Sequence, residues 1–143
     1  MEVNPVLLEQ IAVDVLNGML GMNAVSEQTS PLQAEGLTAS IRISGDWHAG
    51  LEVLTTRQGA ARLAEQMFGT QMTDLTEGEV ADALGEITNM IGGNIKGLTQ
   101  GDTQLSLPCV GASMPADGSP PATVETSMRF GNEPILLRMQ TGG

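Results

Sequence analysis

Along residues 80 to 98, "VADALGEITNMIGGNIKGL", apolar positions return with the period of about 3.6 residues that marks one face of a helix. Val80, Leu84, Ile87, Ile91, Ile95 and Leu98 fall in one sector, and Asp82, Glu86, Asn89, Gly93 and Lys96 fall opposite. "TDLT" at 73 to 76 precedes this helix, Glu77 and Glu79 suit the dipole of its first turn, and Gly101 marks its end. Residues 5 to 22, "PVLLEQIAVDVLNGMLGM", read as an earlier helix with Pro5 in its first turn. It is apolar over more of its circumference, which predicts deeper burial. "RQGAARLAEQMFG" reads as a short helix closed by Gly69.

Between the helices the period drops to two. "LTASIRIS" and "WHAGLEVLTT" alternate around Gly45–Asp46, and "TVETSMRF" and "PILLRMQ" alternate around Gly131–Asn132, so each pair predicts a hairpin. "TQLSLPCVGA" reads as one strand, and Pro108 inside it demands an edge or a bulge. Residues 24 to 35 read as a loop or edge strand, and 113 to 122, "SMPADGSPPA", as a long loop. The expected class is α/β: a single-domain sandwich over residues 1–143, with a mostly antiparallel sheet and long helices packed on one face.

Composition narrows the partners. A formal charge of −11, from 17 acidic against 6 basic residues, speaks against nucleic acid and against an anionic membrane surface. No apolar run approaches the roughly 18 residues of a membrane span, and the start, "MEVNPVLLEQ", lacks a basic leader. A single cysteine fits a reducing compartment, so the expected location is the cytoplasm. Cys109 is expected as a small buried residue and His48 as a strand residue. With one cysteine and one histidine, no His-based metal cluster or triad is available.

One feature exceeds the needs of a solvated helix face. Asp82 and Glu86 place like charges one turn apart, at a cost of about 0.2–0.5 kcal/mol. Asn89 and the pair Gly92–Gly93 follow, each glycine costing about 1 kcal/mol relative to alanine. Two carboxylates and a carboxamide share one patch. Acid/base chemistry would need a pocket to split the carboxyl pKa values, and a metal would need more ligands. A carboxamide, with one donor side and one acceptor side, can orient a water without taking its proton. That suffices when the electrophile is already activated. A simple solvated face is the competing reading of the same spacing.

The first helix echoes this stripe. Gln10, Asp14 and Asn17 stand at the spacing of Asp82, Glu86 and Asn89, and Leu8, Ala12, Val15 and Met19 match Val80, Leu84, Ile87 and Ile91. Helix followed by hairpin also occurs twice. Internal duplication and chance amphipathicity both account for the match.

The pattern "D-ALG-E-IT-N-MIGGN-I-K" resembles the signature helix of the CheC/CheX/FliY family of bacterial chemotaxis phosphatases, and "GNIK" with "LSLPCVGA" resembles its CheX branch. The resemblance implies a CheX-like fold and homodimer, and a phosphorylated CheY-type receiver domain as substrate. It implies that Glu86 binds the receiver's active-site lysine and that Asn89 orients the water attacking the aspartyl phosphate. Asp82, Gly93 and Lys96 would complete the partner-binding stripe. No cofactor of the chain's own is expected, because Mg²⁺ would belong to the receiver. On the first helix Asp14 stands where the family needs Glu, so a second working site there is not expected. The alternatives are a non-catalytic regulator-binding or adaptor module of the same fold, and a dimer whose stripe is vestigial.

Overall fold

The computed structural model describes residues 3–26, 36–113 and 124–141. Most of the 24-to-35 connection and of the proline-rich run at 113 to 122 lies outside the described residues. Asn4 caps helix α1 (Pro5–Val13) by accepting from the Leu7 N–H at 2.8 Å, with Pro5 in the first turn as anticipated. The helix then widens into a π-helical segment, Asp14–Met19. That change of period breaks the expected phase. Val15 and Leu16 stay buried, but Met19 is thrown outward and is 64% exposed. Val6 is 74% exposed as well, so this helix is buried on one side only, despite its apolar circumference.

Strand β1 (Ala24–Ser26) follows, then the hairpin of β2 (Gly36–Gly45) and β3 (Ala49–Thr56). The hairpin turns where Gly45 adopts φ +117°, a conformation side chains disfavour. A Cβ there would also lie 2.4 Å from the Asp102 carbonyl oxygen. His48 falls in this turn, exposed, and not in the strand as expected. Helix α2 (Arg57–Phe68) ends at the left-handed Gly69. Helix α3 (Glu77–Leu98) begins in a complete capping box: Thr76 Oγ1 accepts from Glu79 N–H, and the Glu79 carboxylate accepts from Thr76 N–H. It stops at Leu98, before the expected Gly101, and Leu98 is 51% exposed instead of closing the apolar stripe.

The expected strand at 103 to 112 is two strands, β4 (Thr103–Leu105) and β5 (Cys109–Ser113), both paired to β2. Ile43 faces Leu105 and Ser40 faces Cys109. Ser106 still bonds to Arg42, which leaves Leu107 and Pro108 together opposite Ile41. This is a β-bulge, one extra residue placed where proline forbids a regular ladder. The second hairpin, β6 (Val124–Phe130) and β7 (Glu133–Thr141), turns at Gly131–Asn132 as anticipated.

Among the described residues all strand pairings are antiparallel, in one seven-stranded sheet ordered β1-β6-β7-β3-β2, with β4 and β5 end to end along the outer side of β2. Leu37, Ala39, Ile41 and Ile43 of β2, Leu51 and Val53 of β3, and Leu137 and Met139 of β7 form one buried face. Onto it pack Leu8, Ile11 and Val15 of the first helix, Leu63 of α2, and Leu84, Ile87, Ile91 and Ile95 of α3. Burying each large aliphatic side chain contributes about 1.5–3 kcal/mol. The opposite sheet face carries Arg138 between Glu52 and Glu125, at 3.5 and 3.4 Å.

The connectivity has an internal two-fold. The strand after α1 pairs with the second hairpin, while the strands after α3 pair with the first hairpin. The matched spacing of the two helices and this exchange agree on a duplicated plan, to which α2 is an addition.

Candidate functional site

The outward stripe of α3 is held in place by what lies beneath it. Gly85 and Gly92 both point to the sheet: a Cβ on Gly85 would lie 3.3 Å from Val110 and 3.4 Å from Pro108, and one on Gly92 3.4 Å from Ile41 and 3.5 Å from Leu105. These two glycines, seven positions apart, let the helix settle onto β2 and the bulged edge. The sequence reading, which counted Gly92 with the outward face, is thereby corrected. Gly92 is buried as a packing residue, and only its neighbour Gly93 faces out, with nothing within 4 Å of its Cβ position.

Asp82 and Glu86 are exposed and Asn89 is half-buried. At about 1.5 Å rise per residue, Glu86 and Asn89 stand about 4.5 Å apart along the axis, and Asp82 lies a further 6 Å or so towards the N-terminus. Among the described residues none of these three side chains is engaged in a hydrogen bond or ion pair. Other asparagines on the same helices behave differently. Asn94 donates to the Met90 carbonyl at 3.1 Å. Asn17 accepts from the Ala24 N–H at 2.8 Å and donates to the Ala24 carbonyl at 3.1 Å, so its amide stands in for a neighbouring strand. Asp14 accepts from the Gln10 amide at 3.0 Å. The echo of the stripe on the first helix is therefore consumed internally, and its backbone is π-helical.

Lys96 is exposed further along α3 and lines, with Gly93, Gly97, Gly101, Asp102 and Thr103, a shallow depression of about 270 Å³. The stripe thus divides: Asp82, Glu86 and Asn89 form a compact patch, and Gly93 and Lys96 border this separate hollow. Cys109 is exposed, against the expectation of burial. Its partner Ser40 lies on the sheet face away from the helices, and the bulge puts Val110, not Cys109, towards Gly85. Among the described residues no group of three or more His, Cys, Asp or Glu could hold a metal ion, and no helix is long and apolar enough to cross a membrane.

The family model described as chemotaxis phosphatase CheX matches residues 37–127, which include the whole of α3 and the bulge. The chain belongs to the CheX family. Solved structures agree on the fold. CheX from Vibrio vulnificus is 21% identical, covers 96% of this chain and 98% of its own, and superposes with a TM-score of 0.66. A putative chemotaxis protein from Desulfovibrio vulgaris Hildenborough is 22% identical over 99% of this chain and 100% of its own, with a TM-score of 0.67. The chain matched in the CheX–CheY–BeF3–Mg²⁺ complex from Borrelia burgdorferi is 12% identical over 99% of this chain and 100% of its own, with a TM-score of 0.70. No curated protein matches the sequence. The outward stripe of α3 lies within the matched residues. The bulge beside it is the feature that sequence reasoning missed, and the break in alternation at Leu107–Pro108 was its signal.

Proposed function

We propose that this CheX-family chain hydrolyses the aspartyl phosphate of a CheY-type receiver domain, with Asn89 as the water-orienting residue and Glu86 as the anchor for the receiver's active-site lysine. One observation carries the reading: Asn89 is half-buried on the outward stripe and, among the described residues, its carboxamide makes no hydrogen bond, one turn from a Glu86 that is likewise unengaged. In the proposed step the water oxygen bonds to phosphorus as the bond from phosphorus to the aspartyl oxygen breaks. The aspartate leaves as a carboxylate, the phosphoryl group leaves as inorganic phosphate, and the proton lost by water passes to phosphate or solvent. Asn89 neither gains nor loses a proton; its acceptor and donor sides fix the water's direction of approach. Magnesium on the receiver would neutralise charge on the phosphoryl oxygens, so the chain needs no metal of its own. Asp82, with Gly93 and Lys96 beyond it, extends the contact. The complex of a Borrelia relative with CheY supports the choice of partner. A cytoplasmic homodimer belongs to the same reading, and sedimentation velocity measures the pairing.

The test is the decay of a phosphorylated CheY-like receiver with the wild-type protein, Asn89→Ala and Glu86→Lys. The reading expects faster decay with wild type and a loss of about 10²–10³ in the catalysed rate for Asn89→Ala, the scale of removing one positioned polar group. Glu86→Lys should raise the concentration needed for half-maximal effect. Unchanged decay with retained binding would make the protein an adaptor that only docks.

A further inference from the structure

Beside the proposed site stands an apolar side chain that none of the described residues covers. Leu107 is 88% exposed, more than any other large hydrophobic residue among the described positions. Its placement follows from its neighbours. Leu105 lies by Gly92 and Pro108 lies by Gly85, so Leu107, nearer to Pro108, falls between those levels of α3, beside the turn that runs from Glu86 to Asn89. Counting alternation from Leu105 puts residue 107 on the helix side of the sheet. Counting back from Val110, which meets Gly85, puts residue 108 there too. The bulge therefore turns two successive side chains to the same side: Pro108 fills the gap under α3, and Leu107 projects at the sheet edge.

Leu107 is also held firmly. Ser106 N–H donates to the Arg42 carbonyl at 2.9 Å, Arg42 N–H donates to Ser106 Oγ at 2.9 Å, and Ser106 Oγ donates to the Leu107 carbonyl at 3.1 Å. Pro108 fixes the next φ and packs on the helix. A leucine on a mobile tip would lose backbone freedom on contact, whereas the backbone of one on a braced bulge is already fixed. Bulges are enriched next to functional sites because they re-aim side chains.

We propose that Leu107 is the apolar anchor by which this chain grips its receiver, seating in the rim of the receiver's phosphorylation site while Asn89 enters that site. The inference rests on the phosphatase reading for its partner and deepens it by separating grip from chemistry: Leu107 supplies affinity, Asn89 supplies rate. Receiver domains of the flavodoxin-like order carry their ligand site in the crevice at the carboxyl ends of the parallel strands, so a group that enters it brings its neighbours against the surrounding loops.

The experiment compares Leu107→Ala, Leu107→Asp and Leu107→Met with wild type, using Val6→Asp as a control at another exposed apolar position far from the stripe. Initial rates are measured against the concentration of phosphorylated receiver, and calorimetric titrations use the beryllofluoride-loaded receiver. Leu107→Ala should raise KM and the dissociation constant about 5- to 50-fold, the range expected from uncovering one leucine, with kcat unchanged within a factor of two. Leu107→Asp should be weaker still, while Leu107→Met and Val6→Asp should match wild type. Unchanged KM and affinity in Leu107→Ala would overturn the proposal, as would a fall in kcat at constant KM. If wild type binds without hydrolysing, the phosphatase reading fails, but the titrations still decide the anchor. If wild type does not bind at all, both readings fall.

Discussion

Asn17 and Asn89 stand 72 positions apart (89 − 17) at matching places in the two echoing helices, and the structure gives them opposite work. Replacing each by alanine therefore makes a controlled pair. Asn17→Ala removes the 2.8 and 3.1 Å bonds to both backbone groups of Ala24, a residue only 4% exposed. Each such bond contributes about 1 kcal/mol net, and stranding a buried amide or carbonyl adds to the loss, so the cost comes to about 2–3 kcal/mol. With a urea dependence of about 2 kcal/mol per molar for a domain of this size, the unfolding midpoint should fall by about 1–1.5 M. Asn89→Ala breaks no hydrogen bond among the described residues and should move the midpoint by less than about 0.3 M, because surface changes of this kind stay within about 0.5 kcal/mol. Urea titration followed by far-ultraviolet circular dichroism reads both. Equal destabilisation by the two variants would refute the reasoning, since Asn89 would then be a structural residue. So would a silent Asn17→Ala, because β1 would then need no tie to the first helix.

Two further perturbations probe the platform on which the stripe stands. Thr76→Ala dismantles the capping box at the start of α3 and should cost about 1 kcal/mol, measured by the same titration; because the cap lies remote from Asn89, receiver dephosphorylation at saturation should be unchanged. Gly85→Val puts branched methyl groups where even a Cβ meets Val110 at 3.3 Å, so it should cost about 1–3 kcal/mol and displace Pro108. If the bulge positions Leu107, this variant should also lose receiver affinity while still folded, which calorimetric titration reads.

Much of this molecule is legible in its sequence, because local rules and global fold agree for most elements. The two hairpins announce themselves by alternation around Gly45–Asp46 and Gly131–Asn132, and α3 by its period and cap. What escaped reading depends on contacts with distant residues. Gly92 looks like a wasted exposed position until Ile41 and Leu105 are seen beneath it. Met19 leaves the core because the first helix changes its hydrogen-bonding period, which no side-chain pattern encodes. Cys109 follows a bulge that shifts the facing of every residue after it by one step, so an apolar-looking neighbourhood did not bring burial. Of the candidate stripe, the register of Glu86 with Asn89 was readable from helical geometry alone. Leu107 was not, since its proposed role lies in standing beside the turn from Glu86 to Asn89, a relation set by how the sheet edge meets the helix.

The exchange of strands between the two halves bears on how the chain is made as well as on what it is. Ala24 finds its partner in Phe130, and Leu37 finds Thr55 on one side but must await Ala112 on the other. During synthesis the first helix and hairpin emerge with β1 and an edge of β2 unmatched, and neither gap closes until the second half has left the ribosome. Such a chain folds late and as a unit, because its most distant pairings complete the sheet. The same interlock means that two separately produced fragments, divided between Gly69 and Thr76, each lack what only the other provides, and are suited to reassemble when mixed.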